Sequence, residues 1–68
     1  TESYPEHWTR RLVHCYHQLK KVRGDRPIYW VDLRRISGVK ERNLHKVIPL
    51  LHKYTDRKTA EIIRQIIE

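Results

Sequence analysis

The sequence predicts an all-α fold, a small four-helix domain, and two observations support this prediction. Apolar residues recur at steps of three and four positions through most of the chain, which is the spacing of one face of an α-helix. Glycines, prolines and short polar runs fall between these stretches, where helices would end. With 68 residues, the chain has room for a single domain, residues 1–68, with one modest core.

The first helix is predicted to begin near Ser3 and to end at Gly24. Ser3 and Glu6 have the spacing of a capping box, and Pro5 fits in the first turn because its missing N–H has no partner there anyway. One apolar face then contains Trp8, Leu12, Cys15, Tyr16, Leu19 and Val22. The cations and histidines lie mostly off that face: Arg10, Arg11, His14, His17, Lys20 and Lys21. Gly24 supplies a left-handed stop.

The second helix is predicted from about Trp30 to Ser37, after a turn over residues 24–27. Residues 28–30 are good strand formers, so the sequence leaves open whether this stretch is a strand or leads into a helix. Trp30, Leu33 and Ile36 keep a helical spacing. Gly38 is expected to close the helix.

Two further helices are predicted, one over residues 40–48 and one after Tyr54. In the third helix the apolar side contains Leu44, Val47, Ile48 and Leu51, and Pro49 should end or kink it. The polar run 55–58 offers a cap for the fourth helix. Its apolar positions are Ala60, Ile62, Ile63, Ile66 and Ile67.

Charge is the most distinctive feature of the composition. Fifteen Lys and Arg against eight Asp and Glu give a net charge of +7, and five histidines can add positive charge below neutrality. Residues 30–48 alone carry five cations and two carboxylates. Such a basic balance is typical of domains that bind nucleic acid, although acidic proteins and anionic lipid surfaces are also partners for basic domains.

Several classes of protein are disfavoured by the composition. A single cysteine excludes an internal disulfide framework and the paired cysteines of zinc fingers. No apolar run is long enough to span a bilayer, so we expect no membrane partner and a location in the cytoplasm or nucleus. Because the chain starts at Thr1 and has no methionine, we expect it to be a piece of a longer protein.

Metal binding and catalysis are weakly indicated. His14 and His17 would be neighbours on a helix, but Cys15 belongs to the apolar face, so a third ligand is lacking. We therefore expect no metal, no cofactor and no catalytic residues. Aromatic stacking on nucleic-acid bases is a further hypothesis, but we expect the aromatic side chains to lie mainly in the core, with Tyr29 as the exception.

Residues 33–48 carry the most specific pattern in the chain. Leu33 and Ile36 are spaced to anchor one helix, Gly38 permits a left-handed turn, Val39 fills the turn, and Leu44 with Val47 anchors a second helix. This stretch of 16 of the 68 residues resembles the helix-turn-helix of DNA-binding proteins, including the tri-helical homeodomain-like and Myb-like domains. Members usually have a small residue where Arg34 stands, so Arg34 must lean outward or the angle between the helices must differ.

The resemblance implies a non-catalytic domain that places its second helix, about 40–48, in the major groove of double-stranded DNA. Arg42 would then fork onto a guanine edge, and Lys46 would reach guanine or phosphate. Arg34 and Arg35 would clamp phosphates. The other candidates for DNA contact are Lys40, Asn43 and His45. Transcription regulation and replication are settings in which such domains work.

Other interpretations of the sequence stay open. The same residues match part of a helix-hairpin-helix, which grips the DNA backbone without reading sequence and usually has a second glycine where Lys40 stands. A winged helix would require residues 28–30 to form a strand. The main alternative function is protein–protein interaction or homodimer formation through the isoleucine-rich C-terminal helix.

Overall fold

The computed structural model describes residues 4–68, and all regular structure in this range is helical. The helices are α1 (Tyr4–Arg23), α2 (Trp30–Ser37), α3 (Leu44–Val47), α4 (Leu51–Tyr54) and α5 (Arg57–Ile67). Two 3₁₀ turns, Glu41–Asn43 and Ile48–Leu50, join α3 and α4 into one interrupted helical segment over 41–54. Counted in this way, the domain has four helical segments, which confirms the predicted all-α class.

Helix α1 is the scaffold of the domain, because α2, α3 and α4 all pack against it. Its inner face is fully or nearly fully buried and contains Thr9, Leu12, Val13, Cys15 and Tyr16. Gly24 adopts φ of 60° directly after the helix, so the predicted left-handed stop is confirmed. Ser3, the predicted cap, lies outside the described residues.

Val22 does not belong to the buried face of α1, and its assignment to that face was wrong. Its side chain is 76% exposed. Successive steps of three residues rotate around a helix by −60°, so Val22 has drifted away from the direction that Leu19 faces. Arg23 points instead toward α2, where its guanidinium lies 2.7 Å from the Asp32 carboxylate and 2.9 Å from the Pro27 carbonyl.

Helix α2 has the predicted bounds. The residue before it, Tyr29, decides whether residues 28–30 form a strand or lead into the helix. Tyr29 has an extended backbone, with φ of −102° and ψ of 149°, but it forms no β-strand. It is the N-cap residue of α2. The prediction that Ile36 anchors the helix was wrong, because this side chain is 42% exposed. Leu33 is buried together with Ser37, which lies one step of four residues further on.

Pro49 interrupts the third helical segment, as predicted. The α-helical hydrogen-bonding pattern stops at Val47, a 3₁₀ turn contains the proline, and helix resumes at Leu51. The segment begins at residue 41, one residue later than predicted, and its first turn is 3₁₀ rather than α. Val47 and Leu51 are buried, in agreement with the predicted apolar side.

Helix α5 begins with the predicted polar cap and closes the core. The Asp56 carboxylate accepts a hydrogen bond from the Thr59 N–H at 3.3 Å, which satisfies one of the free donors of the first turn. Ala60 and Ile63 join the core. Ile62 is 36% exposed, so only part of the isoleucine-rich face is left uncovered.

Candidate nucleic-acid interface

Residues 33–48 form a continuous surface whose apolar members point inward. Leu33, Val39 and Val47 are fully buried in the common core with Leu12, and Leu44 is partly buried against it. These four are the predicted anchors of the two helices and of the turn between them, with Ile36 as the exception described above. Most of the polar residues between them face solvent, whereas Ser37 is buried and Asn43 is half-buried.

The turn between α2 and α3 is fixed by backbone conformation and by one buried hydroxyl. Gly38 has φ of 75°, the left-handed region that glycine favours, and its N–H donates to the Arg34 carbonyl at 2.9 Å. The Ser37 hydroxyl accepts from the Val39 N–H at 3.3 Å. A Cβ atom on Gly38 would lie 3.8 Å from the Trp8 ring, so α1 supports the turn from below.

All but one of the seven candidate contact residues are exposed. Arg34 and Arg35 lie on α2, and Lys40 lies in the turn. Arg42 and Asn43 belong to the 3₁₀ turn that follows, and Asn43 is half-buried. The remaining candidates, His45 and Lys46, lie on α3. The structure therefore exposes six of the seven candidates along the stretch that runs from α2 through the turn to α3.

Arg34 leans outward, one of the two outcomes expected from its position in the motif. Its Nη1 lies 3.4 Å from Oε1 of Glu41, and the Trp30 indole Nε1 lies at the same distance from that oxygen. Both separations are longer than a typical N–H···O hydrogen bond, so the pair is loose and solvated. Glu41 thus places a negative charge within the basic surface.

Glu41 was not among the candidate residues of the sequence analysis. A carboxylate in the first turn of a helix is favoured by the free N–H groups there, and Glu41 occupies this position. Its position seven residues after Arg34 carries no signal by itself, because the two residues lie on separate helices. Only the angle set by Gly38 brings them together.

The second helix of this surface is short. Regular α-helix covers Leu44–Val47, with a 3₁₀ turn on each side. A 3₁₀ turn has about 3.0 residues per turn rather than 3.6, so Arg42 points in a different direction from the one a regular helix would give it. The candidate side chains are therefore spread more widely around the segment axis than on a continuous α-helix.

Two alternative interpretations of the motif can be compared with the backbone. The winged-helix interpretation required a strand at residues 28–30, and this stretch leads into α2 without forming one. The helix-hairpin-helix interpretation expects a second glycine where Lys40 stands. Lys40 has φ of −86° and ψ of 149°, an extended conformation that any residue adopts, so the backbone here does not require glycine.

The cluster of His14, Cys15 and His17 is divided between the inside and the outside of α1. Cys15 is buried, whereas both histidines are exposed. Burial raises the pKa of the Cys15 thiol, and the nearby positive charge of Arg11 offsets part of this increase. Within residues 4–68, no three His, Cys, Asp or Glu side chains are grouped in a way that could hold a metal ion.

The described residues include no helix that is both long and apolar enough to cross a membrane. Comparison of the chain with protein-family models, with characterised proteins and with solved structures finds no match.

Proposed function

We propose that the domain binds double-stranded DNA without catalysing a reaction, with residues 41–48 in the major groove and the flanking cations on phosphates. One observation carries this proposal. A fully buried row, Leu33, Val39 and Val47, turns five Lys and Arg side chains outward over only 13 residues, from Arg34 to Lys46. Five exposed cations within so short a stretch match the charge of a duplex backbone.

The roles within this surface follow from side-chain chemistry. Arg42 and Lys46 donate hydrogen bonds and fit guanine O6 and N7, and Asn43 and His45 supply further polar groups. Arg35 and Lys40 flank these residues and suit phosphate contacts, which position a protein without reading sequence. Arg34 can join them when its loose pair with Glu41 opens.

The test is titration of the domain with a short fluorescent duplex, read by anisotropy at several salt concentrations. With five to eight phosphate contacts, we expect a slope of about −4 to −7 in a plot of log K against log salt. Arg42→Glu with Lys46→Glu should abolish binding. Lys58→Glu with Arg64→Glu, which makes the same change of charge on exposed positions of α5, should retain most of it.

Absence of binding by the unaltered domain at low salt would refute the proposal. Equal losses in both double variants would show that net charge, rather than the 33–48 surface, determines binding. Selection of duplexes from a random pool tests the finer part of the proposal. An enriched sequence supports a role in transcription regulation or site-specific replication, in the cytoplasm or nucleus, whereas no enrichment favours a backbone binder of the helix-hairpin-helix kind.

Helix α5 supports a second candidate function, protein–protein contact or homodimer formation. Ile62 is exposed and Ile66 and Ile67 are only partly buried, so an apolar strip remains on the surface. Ile62→Asp tests this function, because the change leaves the core intact, whereas Ile63→Asp would place a charge in the core. A sedimentation measurement that finds a dimer, and loses it in Ile62→Asp, would support this candidate.

A further inference from the structure

The outer face of α1 carries a second basic surface, separate from residues 33–48. Its members recur at steps of three and four residues and are all exposed: His7, Arg10, Arg11, His14, His17 and Lys21. At 100° per residue they fall within an arc of about 120°, which makes them one stripe along the helix. We call this set the α1 stripe.

The α1 stripe contains no carboxylate. The acidic residue of α1 is Glu6, whose Oε2 accepts a hydrogen bond from the Tyr54 hydroxyl at 2.9 Å at the edge of the stripe. Exposed helix faces gain stability when opposite charges alternate at three- or four-residue steps, and lose it when like charges do. His7 and Arg10, at the N-terminal end of the stripe, have interactions within the domain. Arg11 and Lys21 are exposed cations further along the same face, and their positive charge suits an anionic partner.

The N-terminal half of the stripe borders an open groove between α1 and α4. The groove has a volume of about 410 Å³ and is lined by His7, Arg10, Arg11, Val13, His14 and Tyr54. Arginine and histidine N–H groups line its outer side, and such groups form strong hydrogen bonds with phosphate oxygens. The floor, Val13, is apolar and nearly buried. This part of the stripe therefore has the donors and the concave shape that a backbone phosphate fits.

The length of the stripe matches a nucleic-acid backbone. His7 and Lys21 are 14 positions apart, which spans about 21 Å at 1.5 Å per residue. One strand of a duplex advances by about 3.4 Å along the duplex axis per phosphate, but it also winds around that axis, so a straight helix meets only the phosphates on its own side of the duplex. Several side chains of the stripe can therefore contact one backbone at the same time.

The two basic surfaces face in opposite directions. Leu12 and Tyr16 point from α1 into the core, and the stripe lies on the other side of the helix. On α2, Leu33 points into the same core, and Arg35 lies on the outer side. A duplex bound to one surface therefore leaves the other available.

We infer that the α1 stripe binds the phosphate backbone of a second DNA duplex, so that one domain bridges two duplex segments. This inference rests on the proposed function, because it assigns the first duplex to residues 33–48. The six members of the stripe are cations and imidazoles, which suit phosphate contacts that do not read sequence, and one amide, exposed Gln18, lies within the same arc.

The test uses two duplexes that carry a donor and an acceptor dye. The unaltered domain should bring them together and give energy transfer at a ratio of one domain to two duplexes. Arg11→Glu with Lys21→Glu should abolish transfer while binding of a single duplex, followed by anisotropy, is retained.

The control is Lys58→Glu with Arg64→Glu, which should retain both single-duplex binding and energy transfer. Circular dichroism should show that each variant keeps its helices. Energy transfer that survives Arg11→Glu with Lys21→Glu but disappears in Ile62→Asp would assign bridging to a dimer formed through α5, and would overturn the inference.

Two further outcomes separate this inference from the proposed function. If the unaltered domain binds no duplex at all, both fail. If it binds one duplex at a ratio of one to one without energy transfer, the proposed function survives and the inference fails. Binding that depends on Arg11 and Lys21 but not on Arg42 and Lys46 would make the stripe the sole DNA surface, which contradicts the assignment of two surfaces.

Discussion

The α1 stripe and the surface of residues 33–48 are both basic, but they differ in what accompanies the positive charge. The stripe combines cations with imidazoles and contains no carboxylate. The 33–48 surface also contains Asn43 and Glu41, and Glu41 lies 3.4 Å from Arg34. One surface has a single sign of charge, and the other has donors, acceptors and an internal counter-charge.

The two surfaces also differ in their backbone. The stripe lies on one continuous helix of 20 residues, so its side chains project in regular steps. The 33–48 surface crosses a left-handed turn at Gly38 and two kinds of helix, and it depends on the buried side chains beneath it. Its geometry is therefore specific to this fold, whereas the stripe would persist in any long helix with the same sequence.

This difference indicates how affinity and selectivity divide between the two surfaces. Phosphate contacts supply affinity and lose it steeply with salt, whereas base contacts require donors and acceptors in fixed positions. A carboxylate such as Glu41 would repel a phosphate that approached it. Under our proposals, the 33–48 surface contacts the bases of one duplex, and the α1 stripe contacts the phosphates of a second duplex.

The largest expected effect comes from the core that both surfaces share. Leu33 is fully buried against α1, so Leu33→Ala should cost about 2–5 kcal/mol. That is a large part of the stability of a domain this small, so urea unfolding should shift strongly, and both surfaces should be lost together. Val31→Ala, at an exposed position of the same helix, is the control and should unfold almost as the parent does.

Retention of duplex binding by an unfolded Leu33→Ala chain would show that neither surface needs the fold. The 33–48 surface would then bind DNA through its charge alone, as an unfolded peptide of the same sequence would, and the structural difference between it and the α1 stripe would have no effect on binding.

A smaller effect is expected from the two glycines in left-handed conformation. Gly38→Ala and Gly24→Ala each place a side chain where φ is positive, at a cost of about 1–2 kcal/mol. No heavy atom lies within 4 Å of a Cβ on Gly24, so the strain there is confined to the backbone. Only Gly38 sets the angle between α2 and α3. Thermal unfolding should change similarly in both variants, whereas duplex anisotropy should weaken only in Gly38→Ala.

An equal loss of affinity in the two glycine variants would mean that stability alone, rather than the α2–α3 angle, determines binding. Energy transfer through the stripe offers a second check. At protein concentrations that saturate the first duplex, bridging should be the same in both variants.

The positions of the helices could be predicted from the sequence because their end signals are local. Gly24, Gly38 and Asp56 act through their own backbone or through neighbours within four residues. The side of each helix that is buried was harder to predict at the helix ends. Both wrong assignments, Val22 and Ile36, are three residues after a correctly assigned leucine.

The reason for these two errors is geometric. A step of three residues falls 60° short of a full turn, so a long run of such steps leaves the core face. In both helices the next residue, four after the leucine, turns inward although it is polar: Arg23 pairs with Asp32, and Ser37 hydrogen-bonds to the Val39 N–H. Apolar spacing alone could not reveal that polar side chains with specific partners take these places.

The exposed cations of the candidate interface could be predicted from the sequence, but the contacts that they make could not. The cations of residues 34–46 follow directly from the amino-acid sequence. The contact between Arg34 and Glu41 joins α2 to the 3₁₀ turn at Glu41–Asn43, so it depends on how these two elements are oriented. Such features arise from tertiary structure and have no local sequence signal.

Glu41→Gln tests the difference in charge between the two surfaces, because it leaves the 33–48 surface without a carboxylate, like the α1 stripe. The change removes the carboxylate from the 33–48 surface and leaves Arg34 free to contact phosphate. We expect tighter duplex binding, with a salt slope steeper by about 0.9 for one added contact. Glu61→Gln on α5 makes the same change of charge at an exposed position and is the control. A fall in affinity would indicate instead that the carboxylate holds Arg34 in its binding position.

The smallest expected effect lies outside both surfaces, at the cap of α5. Hydrogen bonds from the Thr59 side chain and N–H, together with the Thr55 hydroxyl, hold the pKa of the Asp56 carboxyl below its usual range. Because the folded-state pKa is the lower one, the carboxylate stabilises the fold above the unfolded-state pKa of about 4. This stabilisation is lost as the pH falls through the folded-state pKa.

Asp56→Asn isolates this contribution, because asparagine still caps a helix but does not titrate. Thermal unfolding followed by circular dichroism should place the parent above the variant at pH 7, and the gap should close as the solution is acidified through the pKa of Asp56. A difference in unfolding temperature that stays constant with pH would show that the cap stabilises α5 through hydrogen-bond geometry alone and not through the charge of Asp56. At neutral pH, both duplex binding and bridging should be unchanged, since Asp56 belongs to neither basic surface. Any change in either would mean that α5 helps to position one of them.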